Sequence, residues 1–299
     1  MQLSGPDLRL LRVFAAVVKH NGFAAAQVEL NISQPTISNH ITSLEQRLGM
    51  RLCQRGRAGF RLTNKGEQVY AAVVNLLQSL DDFSSETISL RRELTGKVRF
   101  GLVDSIATDP NCRISETLLT FNRRPNAVVF EIVQGTPQSL QVKVLADELD
   151  FAIGSFPHQA QGLHLEFLYD EAHSLYCARS HHLFDATDVD PEQVTREPAA
   201  GRAYWRSSHR NNKVFVNTKA TADAIEPQLI LILSGSYIGF LPDHYARPWV
   251  ETGAIRRILP EHFSYRVDFH LITKEGPRRN PIVSTFLSDL RMSFRPIGS

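Results

Sequence analysis

Cysteine is scarce in this chain of 299 residues, which has only Cys53, Cys112 and Cys177, and no two of them form a CxxC pair. An odd number of widely spaced cysteines argues against structural disulfides and is typical of a reducing compartment. Nowhere does the chain approach the roughly 18 consecutive apolar residues of a membrane-spanning helix. Its N-terminus also lacks the basic stretch and long apolar run of a secretory signal. These absences predict a cytoplasmic protein without membrane contact.

Enzyme motifs are missing as well, because the chain contains no GxSxG, HExxH or Walker-type pattern. Cys177, His181 and His182 come closest to a Cys–His pair or a metal site. An enzyme therefore stays an alternative that measurable turnover would support. We expect no catalytic residues, no bound metal and no cofactor.

Charge is unevenly distributed along the chain. Residues 1–66 contain nine Lys and Arg residues against three Asp and Glu, a net charge of +6, whereas the whole chain carries +2. The rest of the chain is therefore acidic, and a basic module on an acidic body indicates a polyanionic partner for that module alone. With 42% hydrophobic residues, a chain of this length should form two or three domains with cores of their own.

The basic segment has the pattern of a helix-turn-helix. Apolar residues recur at helical spacing over residues 7–19, and Phe23–Leu30 forms a second, short helix. A third helix is expected to extend to residue 48, with Ser33 as its N-cap and Pro35 in its first turn. Short uncharged polar side chains crowd the start of this helix, and such groups suit base edges and phosphates better than a catalytic site. They are Ser33, Gln34, Thr36, Ser38 and Asn39.

A basic β-hairpin is predicted directly after the third helix. Arg55, Arg57 and Arg61 surround the glycines of its tip. Beside a recognition helix, such a hairpin forms the wing of a winged helix and meets phosphates or a narrow minor groove. The alternative is that the three arginines are solvated loop charges.

An ordered set of residues links this segment to a known family. The set is Leu11, Phe14, Val17, Gly22, Phe23, Ala25, Ala26, Leu30, Ser33-Gln34-Pro35, Ile37-Ser38, Ile41, Leu44-Glu45, Leu48-Gly49, Leu52, Arg55, Leu62-Thr63 and Gly66. In this respect the chain resembles the DNA-binding module of LysR-type transcriptional regulators. Cys53 departs from the phenylalanine that is usual in the family, and His40 from a longer polar side chain. These departures indicate looser packing under the wing and an unusual base preference at one position.

The resemblance implies two sets of DNA-contacting residues. The groove-facing set is Gln34, Thr36, Ser38 and Asn39, followed by His40. The phosphate-contacting set is Ser33, Arg55, Arg57 and Arg61. Pro35 lies among them in a structural role, and Ser33 has the alternative of acting as a helix cap only. Phosphate contacts should dominate the affinity and make it fall steeply with salt.

A long helix should follow the wing, capped by Thr63 and extending through residue 94. Apolar residues, with one threonine, repeat in this helix with a 4-3 spacing, which is typical of a coiled-coil seam. The seam is Val69, Val73, Leu76, Leu80, Phe83, Thr87, Leu90 and Leu94. The alternative is a face buried against the chain's own core. We expect a homodimer or homotetramer, as in the family, and a two-fold-related DNA site with half-sites about 34 Å apart or a multiple of that.

Strands and helices alternate beyond residue 95, which indicates a parallel sheet covered by helices. The resemblance continues here and implies a two-lobed α/β clamp of the periplasmic-binding-protein type. We assign residues 1–62 to the winged helix, 63–94 to the linker helix and 95–299 to the effector domain. Lobe I takes residues 95–165 and 266–299, and lobe II takes 166–265. The whole is an α+β multidomain fold.

Ligands of such clamps lie at the carboxyl ends of strands, between the lobes. The first-lobe candidates are Ser105, Ile106, Thr108, Gln134, Gly135, Thr136, Ser155 and Phe156. The hydroxyl groups of Ser105, Thr108 and Thr136 can each donate to a carboxylate near a helix N-terminus, where the dipole favours an anion. The alternative is that they only cap those helices. The second-lobe candidates are Arg202, Tyr204 and Trp205, which suit an organic or aromatic acid but also suit the covering of a core.

Together these patterns predict a LysR-type, sequence-specific transcriptional regulator whose DNA binding responds to a small-molecule effector. Its expected partners are double-stranded DNA, the effector and a second copy of the chain, with RNA polymerase left open. A solute-binding protein is the second alternative, since the clamp alone would fit one. The basic N-terminal module argues against it, and a transport receptor would bind ligand without shifting DNA.

Overall fold

A computed structural model of the chain describes residues 5–56, 59–89, 94–203, 217–276 and 280–294. The chain divides into two compact units. The first comprises Met1–Thr87 with Ala146–Glu148, and the second comprises Ile88–Leu145 with Leu149–Ser299. Among the described residues, no helix is long and apolar enough to span a bilayer.

The first unit has the predicted winged-helix order. Its elements are α1 (Gly5–Lys19), α2 (Phe23–Leu30), α3 (Gln34–Leu48), β1 (Cys53–Gly56), β2 (Gly59–Leu62) and α4 (Asn64–Ser89). Asn31 ends α2 in the left-handed conformation, with a φ of 50°, which asparagine tolerates better than most residues. Gly49 ends α3 in the same way, with a φ of 66°.

The core of this unit lies between α1 and α3 and extends to α4. Phe14, Val17, Ile37 and Ile41 are completely buried there. Val73 of α4 is 3% exposed and belongs to the same cluster. A core of this kind explains why the apolar periodicity of the sequence located the first three helices correctly.

The predicted seam of α4 divides between two environments. Val69, Val73 and Leu76 pack against the core of their own winged helix. This agrees with the alternative of a face buried against the chain's own core. Leu80 lies beyond that cluster and is half-buried. The sequence predicted that this helix continues to Leu94. The predicted C-terminal end was wrong, because Leu94 is the first residue of a strand. Residues 90–93 lie outside the described part of the chain.

The second unit begins with that strand. Its elements are β3 (Leu94–Leu102), a short 3-10 turn (Ile106–Thr108), α5 (Ile114–Asn122), β4 (Asn126–Gln134), α6 (Pro137–Leu145), β5 (Phe151–Gly154), β6 (Leu163–Ala178), α7 (Pro191–Arg196), β7 (Ala199–Arg202), β8 (Thr218–Ala222), α8 (Ile225–Leu233), β9 (Gly239–Pro242), α9 (Asp243–Glu251), β10 (Ile255–Arg257), β11 (Ser264–Lys274) and α10 (Pro281–Ser293).

Seven of these strands form one mixed sheet in which β3 lies between β4 and β5, parallel to both. β11 is antiparallel to both β5 and β6, and β6 also pairs with β9 and β10. β7 and β8 form a separate parallel pair. The expectation of a parallel sheet therefore holds for β4-β3-β5 and for β7-β8, whereas β6 and β11 are antiparallel to their neighbours.

β6 is a long strand of 16 residues that starts at Leu163 and ends at Ala178. This strand and β11 pass through both lobes. The first lobe also contains β3, β4, β5, α5, α6 and α10, and the second contains β7 to β10 and α7 to α9.

Each lobe has a core of its own. Aromatic side chains fill much of the first core, where the rings of Phe100 and Phe151 stack with centroids 4.9 Å apart. Phe286 of α10 contacts both rings. In the second lobe, Tyr176 and Leu175 are completely buried on opposite faces of β6, in two different clusters. Two covered faces explain why this part of β6 is almost continuously apolar.

Candidate nucleic-acid interface and ligand cleft

Ser33 caps the recognition helix α3. Its Oγ accepts a hydrogen bond from the backbone N–H of Thr36 at 3.4 Å and lies 2.8 Å from the Thr36 hydroxyl. Pro35 lies in the first turn, where its missing N–H has no intrahelical partner to lose. The predicted N-cap is thus confirmed, and the Thr36 hydroxyl takes part in the same local network.

The two faces of α3 differ sharply in burial. Ile37, Ile41 and Leu44 are completely buried. On the other face, Gln34 and Asn39 are exposed, and Ser38 and Thr36 are partly exposed. The helix therefore presents amide and hydroxyl groups outward while its apolar residues fix it to the core, as groove reading requires.

His40 occupies a boundary position on the same helix. Its Nε2 atom is buried and has no hydrogen-bond partner among the described residues. The buried Nε2 atom is therefore not available to a base or a phosphate.

The wing is a short antiparallel hairpin in which Gln54 pairs with Arg61 and Arg55 with Phe60. The Phe60 ring packs edge-on against Phe23, with centroids 5.8 Å apart, and joins the hairpin to the core. Arg61 is exposed. Arg57 lies outside the described residues, and for Arg55 the structure gives the strand position alone.

Glu45 connects α3 to the wing. Its Oε1 atom accepts hydrogen bonds from the backbone N–H groups of Leu52, at 2.7 Å, and Cys53, at 3.2 Å. The sequence placed Glu45 in the family pattern without giving it a task. The signal that could have identified it was a carboxylate on α3 a few residues before a strand whose first N–H groups need acceptors.

Two further contacts fix the frame of the module. Arg47 of α3 forms an ion pair with Asp7 of α1, with 2.8 Å between Nη2 and Oδ2, and the Asp7 side chain is completely buried. Thr63 caps α4 as predicted, because its Oγ1 accepts a hydrogen bond from Gly66 N–H at 2.9 Å. Gly66 is needed there, since a Cβ atom would lie 1.9 Å from the Leu52 carbonyl oxygen.

The first-lobe ligand candidates follow three neighbouring strands, β4, β3 and β5. Ser105 is held in the left-handed conformation with a φ of 67°, an uncommon geometry for serine. Gln134 is exposed, and Gly135 and Ser155 are half-buried. Ile106 and Phe156 are buried at 4% and 6% exposure within the first-lobe core, so they offer little surface to a ligand.

The two threonine candidates already have hydrogen-bond partners. Thr136 Oγ1 accepts from Ser139 N–H at 3.3 Å, which is the geometry of a helix cap at the start of α6. Thr108 Oγ1 lies 2.8 Å from Nδ1 of His244 in the second lobe. Thr108 thus connects the two lobes, which the sequence had not indicated.

Arg202 and Asp104 form a second link between the lobes. The two guanidinium nitrogens Nη1 and Nη2 lie 3.0 and 2.7 Å from the two carboxylate oxygens. Asp104 Oδ2 also accepts a hydrogen bond from the Ile225 N–H at the start of α8, a helix without a side-chain cap of its own. Arg202 was predicted as a ligand residue, whereas Asp104 was not among the candidates. Tyr204 and Trp205 lie outside the described residues.

Two family models match the chain. The model described as the bacterial regulatory helix-turn-helix protein of the lysR family matches residues 8–67. The model described as the LysR substrate binding domain matches residues 91–295.

The relatives of the chain include proteins that are named as bacterial transcriptional regulators. The chain is 37% identical over 295 residues to the HTH-type transcriptional activator BauR of Pseudomonas aeruginosa, a match that covers 98% of this chain and 97% of the relative. It is 31% identical over 190 residues to the HTH-type transcriptional regulator BudR of Raoultella terrigena, covering 63% and 65% of the two chains.

Solved structures of similar fold are full-length regulators. The structure of CbnR, a LysR family transcriptional regulator, matches with a TM-score of 0.65 at 17% identity, covering 97% of this chain and 99% of the other. CbnR complexed with its target DNA matches with a TM-score of 0.63 at 18% identity, covering 96% and 99%. At such identities, the likeness concerns the fold.

Proposed function

Because the chain belongs to the LysR family of transcriptional regulators, we propose that it reads a specific two-fold DNA site with α3 and its wing. The observation that carries this assignment is the divided surface of α3, with exposed Gln34 and Asn39 above the buried Ile37 and Ile41. In this proposal, Gln34, Thr36, Ser38, Asn39 and His40 face the groove. Ser33, Arg55, Arg57 and Arg61 lie at the phosphates, and Pro35 shapes the first turn.

The domain limits of the proposal are residues 1–62 for the winged helix, 63–94 for the linker and 95–299 for the effector domain. Two copies should associate through the part of α4 that begins at Leu80, because Val69, Val73 and Leu76 are occupied by their own core. A tetramer would pair two such dimers. One relative is named an activator, and on that basis the proposal includes contact with RNA polymerase at the promoter.

The effector is proposed to be an organic or aromatic acid bound between the lobes of the second unit. Its carboxylate would compete with Asp104 for the Arg202 guanidinium and for the N-terminus of α8, where the backbone favours an anion. The polar groups of Ser105, Thr108, Gln134, Thr136 and Ser155, with Gly135, would border the ligand. Tyr204 and Trp205 complete the proposed contacts, and Ile106 and Phe156 would support them from within the first-lobe core.

Two measurements on the full-length protein test the proposal. In fluorescence anisotropy with DNA from upstream of its own gene, we expect binding that falls steeply with salt and a footprint with two-fold symmetry. In a thermal-shift screen of organic and aromatic acids, we expect at least one acid to raise the melting temperature and to change the affinity for DNA. If the protein bound no DNA sequence specifically, the proposed DNA-reading role of α3 and the wing would be wrong. If only uncharged or cationic compounds bound, the proposal of an acidic effector would be wrong.

A further inference from the structure

Three buried side chains meet where the two lobes of the second unit join. Asp109 follows the 3-10 turn of the first lobe, Glu171 lies on β6, and His244 lies in the first turn of α9 in the second lobe. Their side chains are 3%, 5% and 6% exposed. One donor atom from each lies within 4.8 Å of the other two.

The hydrogen bonds around this cluster leave one acceptor without a donor. His244 Nε2 lies 2.8 Å from Glu171 Oε1, and Asp109 Oδ1 accepts from Asn111 N–H at 2.8 Å. The buried Oδ2 atom of Asp109 points to the same place but accepts no hydrogen bond from the described residues, and it lies 3.8 Å from His244 Nε2. A buried carboxylate oxygen in this state is costly unless a cation compensates it.

We propose that His244 Nε2, a carboxylate oxygen of Glu171 and Asp109 Oδ2 bind one divalent metal ion, with Zn²⁺ as the best match. An imidazole nitrogen with two carboxylates is a donor set that zinc accepts, whereas Mg²⁺ and Ca²⁺ prefer oxygen alone. Zinc bonds of about 2.0–2.1 Å place tetrahedral donors about 3.4 Å apart. This lies between the 2.8 and 3.8 Å that separate His244 Nε2 from its two carboxylate neighbours.

The surroundings support this donor set. Thr108 Oγ1 lies 2.8 Å from His244 Nδ1 and so can hold the ring with Nε2 directed at the carboxylates. Metal-bound histidines usually have such a partner on their second nitrogen. His173 hydrogen-bonds the other oxygen of Glu171 at 2.5 Å and fixes that carboxylate. A bound ion would connect the first lobe, β6 and the second lobe at one point.

A second group provides an internal control. His181, His182 and Glu197 of the second lobe also have donor atoms within 4.8 Å of one another. There, however, His182 is 58% exposed and already lies 3.0 Å from Glu197. Exposed groups of this kind bind added zinc weakly, so the His182→Gln variant separates incidental binding from binding at the buried site.

The test uses full-length protein that has been stripped with a chelator and then titrated with Zn²⁺ alone. We expect tight binding of one equivalent by calorimetry and a rise of several degrees in melting temperature. Asp109→Asn and His244→Gln should each weaken zinc binding at least tenfold and remove the thermal shift, whereas His182→Gln should keep both. Without metal, Asp109→Asn should melt no lower than the wild type, because it removes an uncompensated carboxylate.

Three results would overturn the metal site. They are no zinc-induced shift in the wild type, an undiminished shift in Asp109→Asn, and a loss confined to His182→Gln. None of these measurements involves DNA, so the metal site and the regulatory function stand or fall separately.

Discussion

The Asp104 carboxylate faces the Arg202 guanidinium through two contacts, of which the shorter is 2.7 Å, and both side chains are largely buried. The two residues come from opposite lobes of the second unit. The same carboxylate accepts a hydrogen bond at the start of α8. The Asp104 side chain therefore occupies two groups of the second lobe, the Arg202 guanidinium and the N-terminus of α8, that an anionic ligand would otherwise bind.

Replacing Asp104 by Asn should destabilise the second unit, because the guanidinium of Arg202 is left buried without its counter-charge. Loss of one partner of a buried ion pair costs about 3–5 kcal/mol, which we expect as a lower melting temperature in differential scanning calorimetry. The same variant should bind organic acids more tightly, since its own carboxylate no longer competes for Arg202.

The matched control for this change is Glu192→Gln, which breaks the exposed pair with Arg196. Its effect should stay within about 0.5 kcal/mol. If Asp104→Asn melted at the same temperature as the control and bound organic acids as the wild type does, Asp104 would neither stabilise the second unit nor compete with a ligand for Arg202.

Arg61→Ala and Asn39→Ala should affect DNA binding in different ways. Arg61 is exposed on the wing, so its loss should weaken binding to all sequences about equally and reduce the salt slope by about one. Asn39 is exposed on α3, so its loss should cost about 1–3 kcal/mol on the preferred site alone.

Arg12→Ala controls for the lost charge, because Arg12 is exposed on α1. Anisotropy titrations on specific and scrambled duplexes at several salt concentrations separate these outcomes. A uniform loss in Asn39→Ala, or a site-specific loss in Arg61→Ala, would reverse the roles assigned to the two elements.

Glu45→Ala should detach the wing from the recognition helix, because two backbone N–H groups lose their acceptor. We expect a loss of about 1–3 kcal/mol in stability and a larger relative loss in affinity for DNA. Glu45→Gln keeps one acceptor oxygen and should lie between this variant and the wild type. Gln46→Ala, at an exposed neighbouring position, should match the wild type in thermal unfolding and in DNA binding.

Leu80→Asp should weaken the association between copies, because a charge would enter the proposed contact along α4 at the cost of desolvation. Light scattering coupled to size exclusion should show more monomer at micromolar concentrations. Ser79→Asp introduces the same charge at an exposed neighbouring position and should leave the mass unchanged. An equal shift in both variants, or in neither, would place the dimer contact elsewhere.

Local patterns were sufficient for the first unit. The periodic apolar residues and the Ser33 cap located α3, because short-range rules determine its start, its buried face and its end at Gly49. The same rules failed at Leu94. There the 4-3 spacing continued, but pairing with Asn126 of β4 makes the residue part of a sheet. Pairing between distant segments overrode the local preference for helix.

The contacts between the lobes could not be predicted from the sequence for a related reason. Asp104 and Arg202 are 98 positions apart, and Thr108 and His244 are 136 positions apart. No periodicity connects such pairs. The sequence could predict which strands end at the cleft, since adjacent parallel strands end at the same edge, but not which side chains neutralise one another there.

The packing of Val69, Val73 and Leu76 onto the winged-helix core has a mechanical consequence. With its first turns held in this way, α4 has a length of about 39 Å at about 1.5 Å per residue over its 26 residues. The winged helix and α4 should therefore move as one stiff body. If two copies associate along α4 as proposed, a change in the angle between their two helices would change the distance between the two winged helices, and with it the spacing of the DNA half-sites that the pair can bind.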